Sequence, residues 1–156
     1  MTIDRVRSNT EAEINEDIDL KSEALIHVYT NQENWKISER IEELEGEWDV
    51  ERWLETNASV LAFAGLMFGA TYKKRWLVLP GVVLPFLFQH AVQGWCSPIA
   101  FFRKLGVRTR KEIEREKYAL KILRGDFEDI RSMDRKEAAL HIFRSSSLDG
   151  AEKKQA

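Results

Sequence analysis

Cysteine occurs once, proline three times and histidine three times in this 156-residue chain. A lone cysteine excludes an internal disulfide framework. His27, His90 and His141 lie far apart, and no CxxC or HExxH pattern is present, so no metal is expected. A glycine-rich phosphate loop and a nucleophile elbow are missing too, leaving no motif that predicts an enzyme or a cofactor. The formal net charge of −2 hides an acidic segment before the apolar middle and a basic one after it, and no nucleic-acid partner is expected because that basic run adjoins a membrane exit, where it has a simpler use. Because the N-terminal stretch has no apolar run, no cleavable signal peptide is expected, and any membrane insertion has to be directed from within the chain.

The most informative absence is charge in the middle of the chain. Residues 56–72 contain no charged side chain, and residues 76–102 contain none when His90 is neutral. Aromatic rings close both segments, Trp53 and Tyr72 on the first and Trp76 and Trp95 on the second, as expected of rings at headgroup level. Each pair is separated by 19 positions, roughly 28 Å of helix against a hydrocarbon layer of about 30 Å. The spacing predicts an all-α membrane protein with a two-span transmembrane helical hairpin, spans about 53–72 and 76–95, turned at Lys73, Lys74 and Arg75. A buried hairpin in a soluble helical protein is the competing expectation. The second segment weighs against it, since Leu77, Val78, Leu79, Val82, Val83 and Leu84 leave no face polar. Pro80 falls near the first turn of that span, whereas Pro85 removes an interior hydrogen bond.

The charged residues are concentrated in the two flanks, where amphipathic cytoplasmic helices are expected on both sides of the hairpin. Residues 1–34 read as a disordered polar tail. Over 35–52 an acidic amphipathic helix is expected to start at Ser38 as N-cap, with Ile37, Ile41, Leu44 and Trp48 on one face and Asp49 capping the helix that follows. The hairpin region is expected to run to 102, broken after the second span by Cys96-Ser97-Pro98. Residues 103–144 form a basic segment in which Thr109 and Glu112 make a capping box, Ile113, Leu120 and Leu123 share a face, and Gly125 stops the helix. A short helix near 134–144 and a disordered tail over 145–156 complete the reading. The acidic and basic helices are expected to attract each other. Seven Lys and Arg stand beside the outer ends of the spans and three in the turn, which places both termini in the cytoplasm by the positive-inside rule.

Three groups of residues are candidates for a site. Ala58, Ala62, Gly65 and Gly69 form a small-residue stripe for close helix packing, against either the second span or another copy. Asn57, Gln89, His90 and Gln93 are polar groups at one end of the hairpin and predict an interhelical hydrogen-bond cluster, with a binding or proton-handling role for His90 as the sharper alternative. Cys96 lies upstream of Arg103, Lys104 and Arg108, whose charge would lower its pKa and make it a reactive thiol, against the plainer reading of a small apolar-like residue packed at a helix end.

The segment Gln89-His90-Ala91-Val92-Gln93-Gly94-Trp95-Cys96-Ser97-Pro98, followed by Leu105-Gly106-Val107-Arg108-Thr109, resembles the YgaP-like transmembrane domain family over roughly residues 49–110. The resemblance implies a two-span hairpin of a bacterial inner membrane, in some members attached to a sulfurtransferase domain; Ser97 between Cys96 and Pro98 departs from that family's turn. The expected function is therefore that of a non-enzymatic membrane hairpin. Its expected partners are the lipid bilayer and either a second copy or another membrane protein. A redox or sulfur-relay accessory using Cys96 is the alternative.

Overall fold

The computed structural model describes residues 4–148, which are helical with no strand among them. In chain order the helices are α1 (Arg5–Ser8), α2 (Ala12–Tyr29), α3 (Asn34–Gly46), α4 (Val50–Thr71), α5 (Val78–Gln93), α6 (Ser97–Lys104), α7 (Arg110–Arg124) and α8 (Arg135–Leu148). Short 3-10 turns at Lys74–Leu77 and Glu128–Ser132 precede α5 and α8.

α4 and α5 pack as an antiparallel hairpin across the turn that begins at Tyr72. Asp49 caps α4 by accepting from the Arg52 N–H at 2.8 Å, and the Val50 N–H donates to the Arg108 carbonyl at 2.9 Å. Both bonds satisfy amides that a helix start leaves unpaired. α5 ends at Gly94, whose φ of +70° a glycine adopts without strain. A Cβ at Gly94 would also come within 2.8 Å of the Arg5 Cβ, so α1 sits directly against the end of the hairpin. The base is a small apolar core of Val6, Val50, Leu54, Cys96 and Ile99, with Trp95 and Phe102 packed on it.

A polar body surrounds this base. Ile37, Ile41 and Leu44 of α3 pack against Ile113 and Leu120 of α7 in a second core, with Leu123 beside them. The Thr109–Glu112 capping box starts α7, and Gly125 ends it with φ of +92°.

Several elements depart from the sequence expectations. Residues 12–29 form an 18-residue helix where a disordered tail is expected over 1–34. Local polarity misleads there because α2 is held by distant partners: Asp19 pairs with Arg7, Asn15 accepts from Arg103 at 2.8 Å, and Ser22 accepts from Arg108 at 3.2 Å. α3 starts at Asn34, not at Ser38, whose hydroxyl donates to the Asn34 carbonyl inside the helix at 3.0 Å. Trp48 leaves the α3 stripe because the helix ends at Gly46; it packs on Trp53 at 5.2 Å with the Arg52 guanidinium 4.5 Å over its ring. α8 runs on to Leu148 through the serines assigned to the C-terminal tail, and the rest of that expected tail, 149–156, lies outside the described residues.

One helical segment among the described residues, Lys74–Gln93, is long and apolar enough to cross a membrane, and 6% of its apolar window is buried inside the protein. α4 falls short of that standard. Its first two turns carry Glu51, Arg52 and Glu55, and its next two spend positions on Asn57, Ala58, Ser59 and Ala62.

Candidate functional site

The chemistry of this chain is concentrated where the hairpin meets the polar body, and α7 organises it. Glu112 and Glu116 lie one turn apart on α7 and both are buried. Glu112 accepts a two-nitrogen fork from Arg103, 2.7 and 2.8 Å, and a third bond from Arg7 at 2.7 Å. It also takes the Thr109 N–H at 2.8 Å. Glu116 is held by Arg40 at 3.0 Å and by Arg108, whose other arm grips Glu47. Arginines from α1, α3, α6 and the loop before α7 thus converge on two carboxylates. Planar guanidinium forks suit such sites because they match carboxylates bidentately and stay charged.

Burial alone would raise the Glu112 carboxyl, but hydrogen bonds from Arg103 and the Thr109 N–H, with the Arg103 charge, outweigh it and hold the group below the usual carboxylate range. Arg103 has no solvent exposure and spends its remaining donors on Asn15, Thr10 and the Val107 carbonyl. A carboxylate saturated in this way is a poor proton acceptor at neutral pH. The network is a structural tie between elements far apart in sequence.

Beside this tie lies a cavity of about 870 Å³, walled by α4 and α5 and closed by α1 and the first turn of α7. Glu51, Glu55 and Ser59 line it from successive turns of α4, and Leu87, His90 and Gly94 from α5. Asp4, Arg5, Arg110 and Lys111 complete its charged end. The His90 Nδ1 is buried without a hydrogen-bond partner among the described residues. Histidine's two ring nitrogens normally each find a donor or acceptor.

The residues singled out in the sequence separate into distinct places. Ala58, Ala62, Gly65 and Gly69 are buried on α4. A Cβ at Gly65 would overlap Pro80 Cδ and lie 2.8 Å from Leu79 Cβ, and one at Gly69 would lie 2.7 Å from Leu77 Cγ, so the glycines are covered by this chain's own second helix. Asn57 donates to the Trp53 carbonyl of its own helix at 2.8 Å, and Gln89 donates to Gln93 at 3.3 Å. No hydrogen bond among the described residues joins Gln89, His90 or Gln93 to Thr56, Asn57 or Ser59, so the expected interhelical cluster is not formed. Of these polar residues of α5, His90 lines the cavity and Gln93 is exposed. Trp53 and Trp95 stand at the base of the hairpin, Tyr72 and Trp76 at its tip, and Trp76 stacks 5.4 Å from Phe68.

Cys96 is fully buried in the base core, and burial pushes its thiol pKa up. The neighbouring cations do not reverse this, since Arg103 is committed to Glu112. Cys96 is therefore expected to label with a thiol reagent at neutral pH at least about tenfold more slowly in the native protein than after denaturation. Equal rates would remove it from the core.

Neither family models, curated proteins nor solved structures give a match to this chain.

Of the residues at the junction, Glu112 carried a sequence signal through its capping box with Thr109. Arg7, Arg103, Arg108 and Glu116 carried none, because a buried arginine and an exposed one look alike until the partner's position is known.

Proposed function

We propose that this chain is an integral membrane protein that inserts the α4–α5 hairpin into a bilayer, holds the polar body at the surface and acts by binding partners, not by catalysis. The observation that carries this reading is the apolar sleeve of the hairpin. Phe63, Leu66, Phe68, Val78, Val82 and Phe88 are each about half exposed or more. Exposed apolar surface of this extent on a soluble monomer marks an interaction site, and here it is carried by both helices of the hairpin. The aromatic residues at base and tip sit where a bilayer has its two interfaces.

The second span needs a particular arrangement. α4 places Glu51, Arg52 and Glu55 at the headgroup level and gives its apolar turns, from Val60 onward, to the hydrocarbon. α5 runs back from Val78 to Gln93, and with the 3-10 turn before it supplies the longer apolar segment. The excess of Lys and Arg at the base puts that end, both termini and the polar body in the cytoplasm. The resemblance to YgaP-like transmembrane domains belongs to the same proposal and would make the bilayer a bacterial inner membrane. The small-residue stripe serves the hairpin itself, so association with a second copy or another protein would use the lipid-facing sleeve or the polar body.

Crosslinking in intact membranes tests the partner role. One reproducible crosslinked species, a second copy or a specific membrane protein, is the expected result; a chain that crosslinks to nothing at native abundance would contradict it.

A further inference from the structure

The cavity at the hairpin base combines features that the anchoring role does not require. Its charge is split between two walls. Glu51 and Glu55 stand one turn apart on α4, and neither forms an ion pair among the described residues. Two like charges at this spacing repel, and a cation between them relieves the repulsion. The facing wall carries Arg5, Arg110 and Lys111, with the latter two in the first turn of α7, where the helix favours an anion, and one carboxylate, Asp4, which accepts from the Arg7 N–H and the Thr109 hydroxyl. Arg5 spends one nitrogen on the Val92 carbonyl, 3.3 Å, and Arg110 one on Glu114, 2.8 Å, and each guanidinium has further donors.

Polarity falls along the cavity in one direction. Along α4 the lining passes from Glu51 through Glu55 to Ser59, and on α5 from Gly94 through His90 to Leu87. One turn beyond Ser59 stands Phe63, 67% exposed, and near Leu87 on α5 stands Leu84, 49% exposed. The cavity therefore opens onto the apolar sleeve. A ligand that fits it has a cation and an anion at one end and hydrocarbon at the other.

We propose that this cavity binds the headgroup of an aminophospholipid, with the phosphate against Arg5, Arg110 and Lys111 and the primary ammonium between Glu51 and Glu55. The His90 ring lines the cavity between the charged end and Leu87, and the acyl chains leave over Phe63 and Leu84. This inference rests on the membrane reading. A primary ammonium has three N–H donors for the two carboxylates, a choline headgroup has none, and a glycerol headgroup brings no cation at all.

The test is lipid retention. The full chain is extracted from nanodiscs holding equal amounts of phosphatidylethanolamine, phosphatidylcholine and phosphatidylglycerol, and the lipids retained are quantified. Phosphatidylethanolamine is expected in about fivefold excess over each of the others, the modest size following from carboxylates that are exposed to solvent at the cavity rim. The E51Q/E55Q variant is expected to lose that excess while melting like the parent, and R110A/K111A to lose retention of all three. Equal retention of the three lipids, preference for phosphatidylglycerol, or an excess that survives E51Q/E55Q would overturn the proposal. So would competition by deacylated glycerophosphoethanolamine as effective as by intact lipid. Release of the chain from membranes by alkaline carbonate would remove the membrane reading itself, whereas a retained chain with no lipid preference overturns only this inference.

Discussion

Gly65→Leu is expected to separate α4 from α5 and to lower the stability of the hairpin by about 3 kcal/mol or more, the upper range for forcing atoms into a filled contact. The cost is high because a Cβ at that position meets the ring of Pro80 and the Cβ of Leu79, which are fixed to the backbone and cannot turn aside. Gly69→Leu should cost less, since the atoms in its way belong mainly to the flexible side chain of Leu77. Gly81→Leu is the control: nothing lies within 4 Å of a Cβ there, and a leucine in a helix outranks glycine by close to a kilocalorie. Thermal unfolding in a mild detergent should rank the three as Gly81→Leu at or above the parent, then Gly69→Leu, then Gly65→Leu. Equal melting of Gly65→Leu and the parent would mean that the two helices are not packed through this stripe.

The second large effect belongs to the buried ion network. Arg103→Ala leaves Glu112 almost enclosed and short of two of its donors, and removing one partner of such a pair costs about 3–5 kcal/mol. Replacing both, as Arg103→Met with Glu112→Leu, should cost less than Arg103→Ala alone, because no charge is then left stranded. The same network has a pH signature. Glu112 is held below the usual carboxylate range in the folded state, so its contribution is complete above the unfolded pKa and is lost as the pH falls through the lower folded value. Stability of the polar body should be level through neutral pH and fall in the acid range, and E112Q should flatten the fall while lowering the plateau. Calorimetry or circular dichroism across that range reads both effects. A parent protein as stable at pH 3 as at pH 7 would show that the Glu112 pairs do not support the fold.

These two cases mark where the sequence was readable and where it was not. The hairpin was legible because a run such as 76–102 is apolar on every helical face, and periodicity plus aromatic ends are local signals. Helix ends were legible where a cap needs particular residues, at Asp49, Thr109 with Glu112, and Gly125. The expected attraction between an acidic α3 and a basic α7 was only partly legible. Lys117 does face Glu45 at 3.9 Å, but the interface is mainly apolar, and the stronger pairs run the other way, with α7 supplying Glu112 and Glu116 to arginines. Charge counts along a helix hide which face each charge occupies. α2 was missed for the same reason: its ordering comes from Arg7, Arg103 and Arg108, one outside the helix and two about 90 positions away. Cys96 follows the plainer of its two readings, a small residue packed in a core, because nearness in sequence to Arg103 and Lys104 does not put their charge beside a thiol that faces apolar neighbours.

The α4–α5 hairpin is proposed to reside in the hydrocarbon of a bilayer. Alkaline carbonate washing of membranes from cells expressing the full chain tests it most directly, because high pH strips proteins held by charge and leaves those held by buried apolar helices. The chain is expected to stay with the membrane pellet and to be released only by detergent. Release into the carbonate supernatant would contradict it and would assign the exposed sleeve to a protein interface in water.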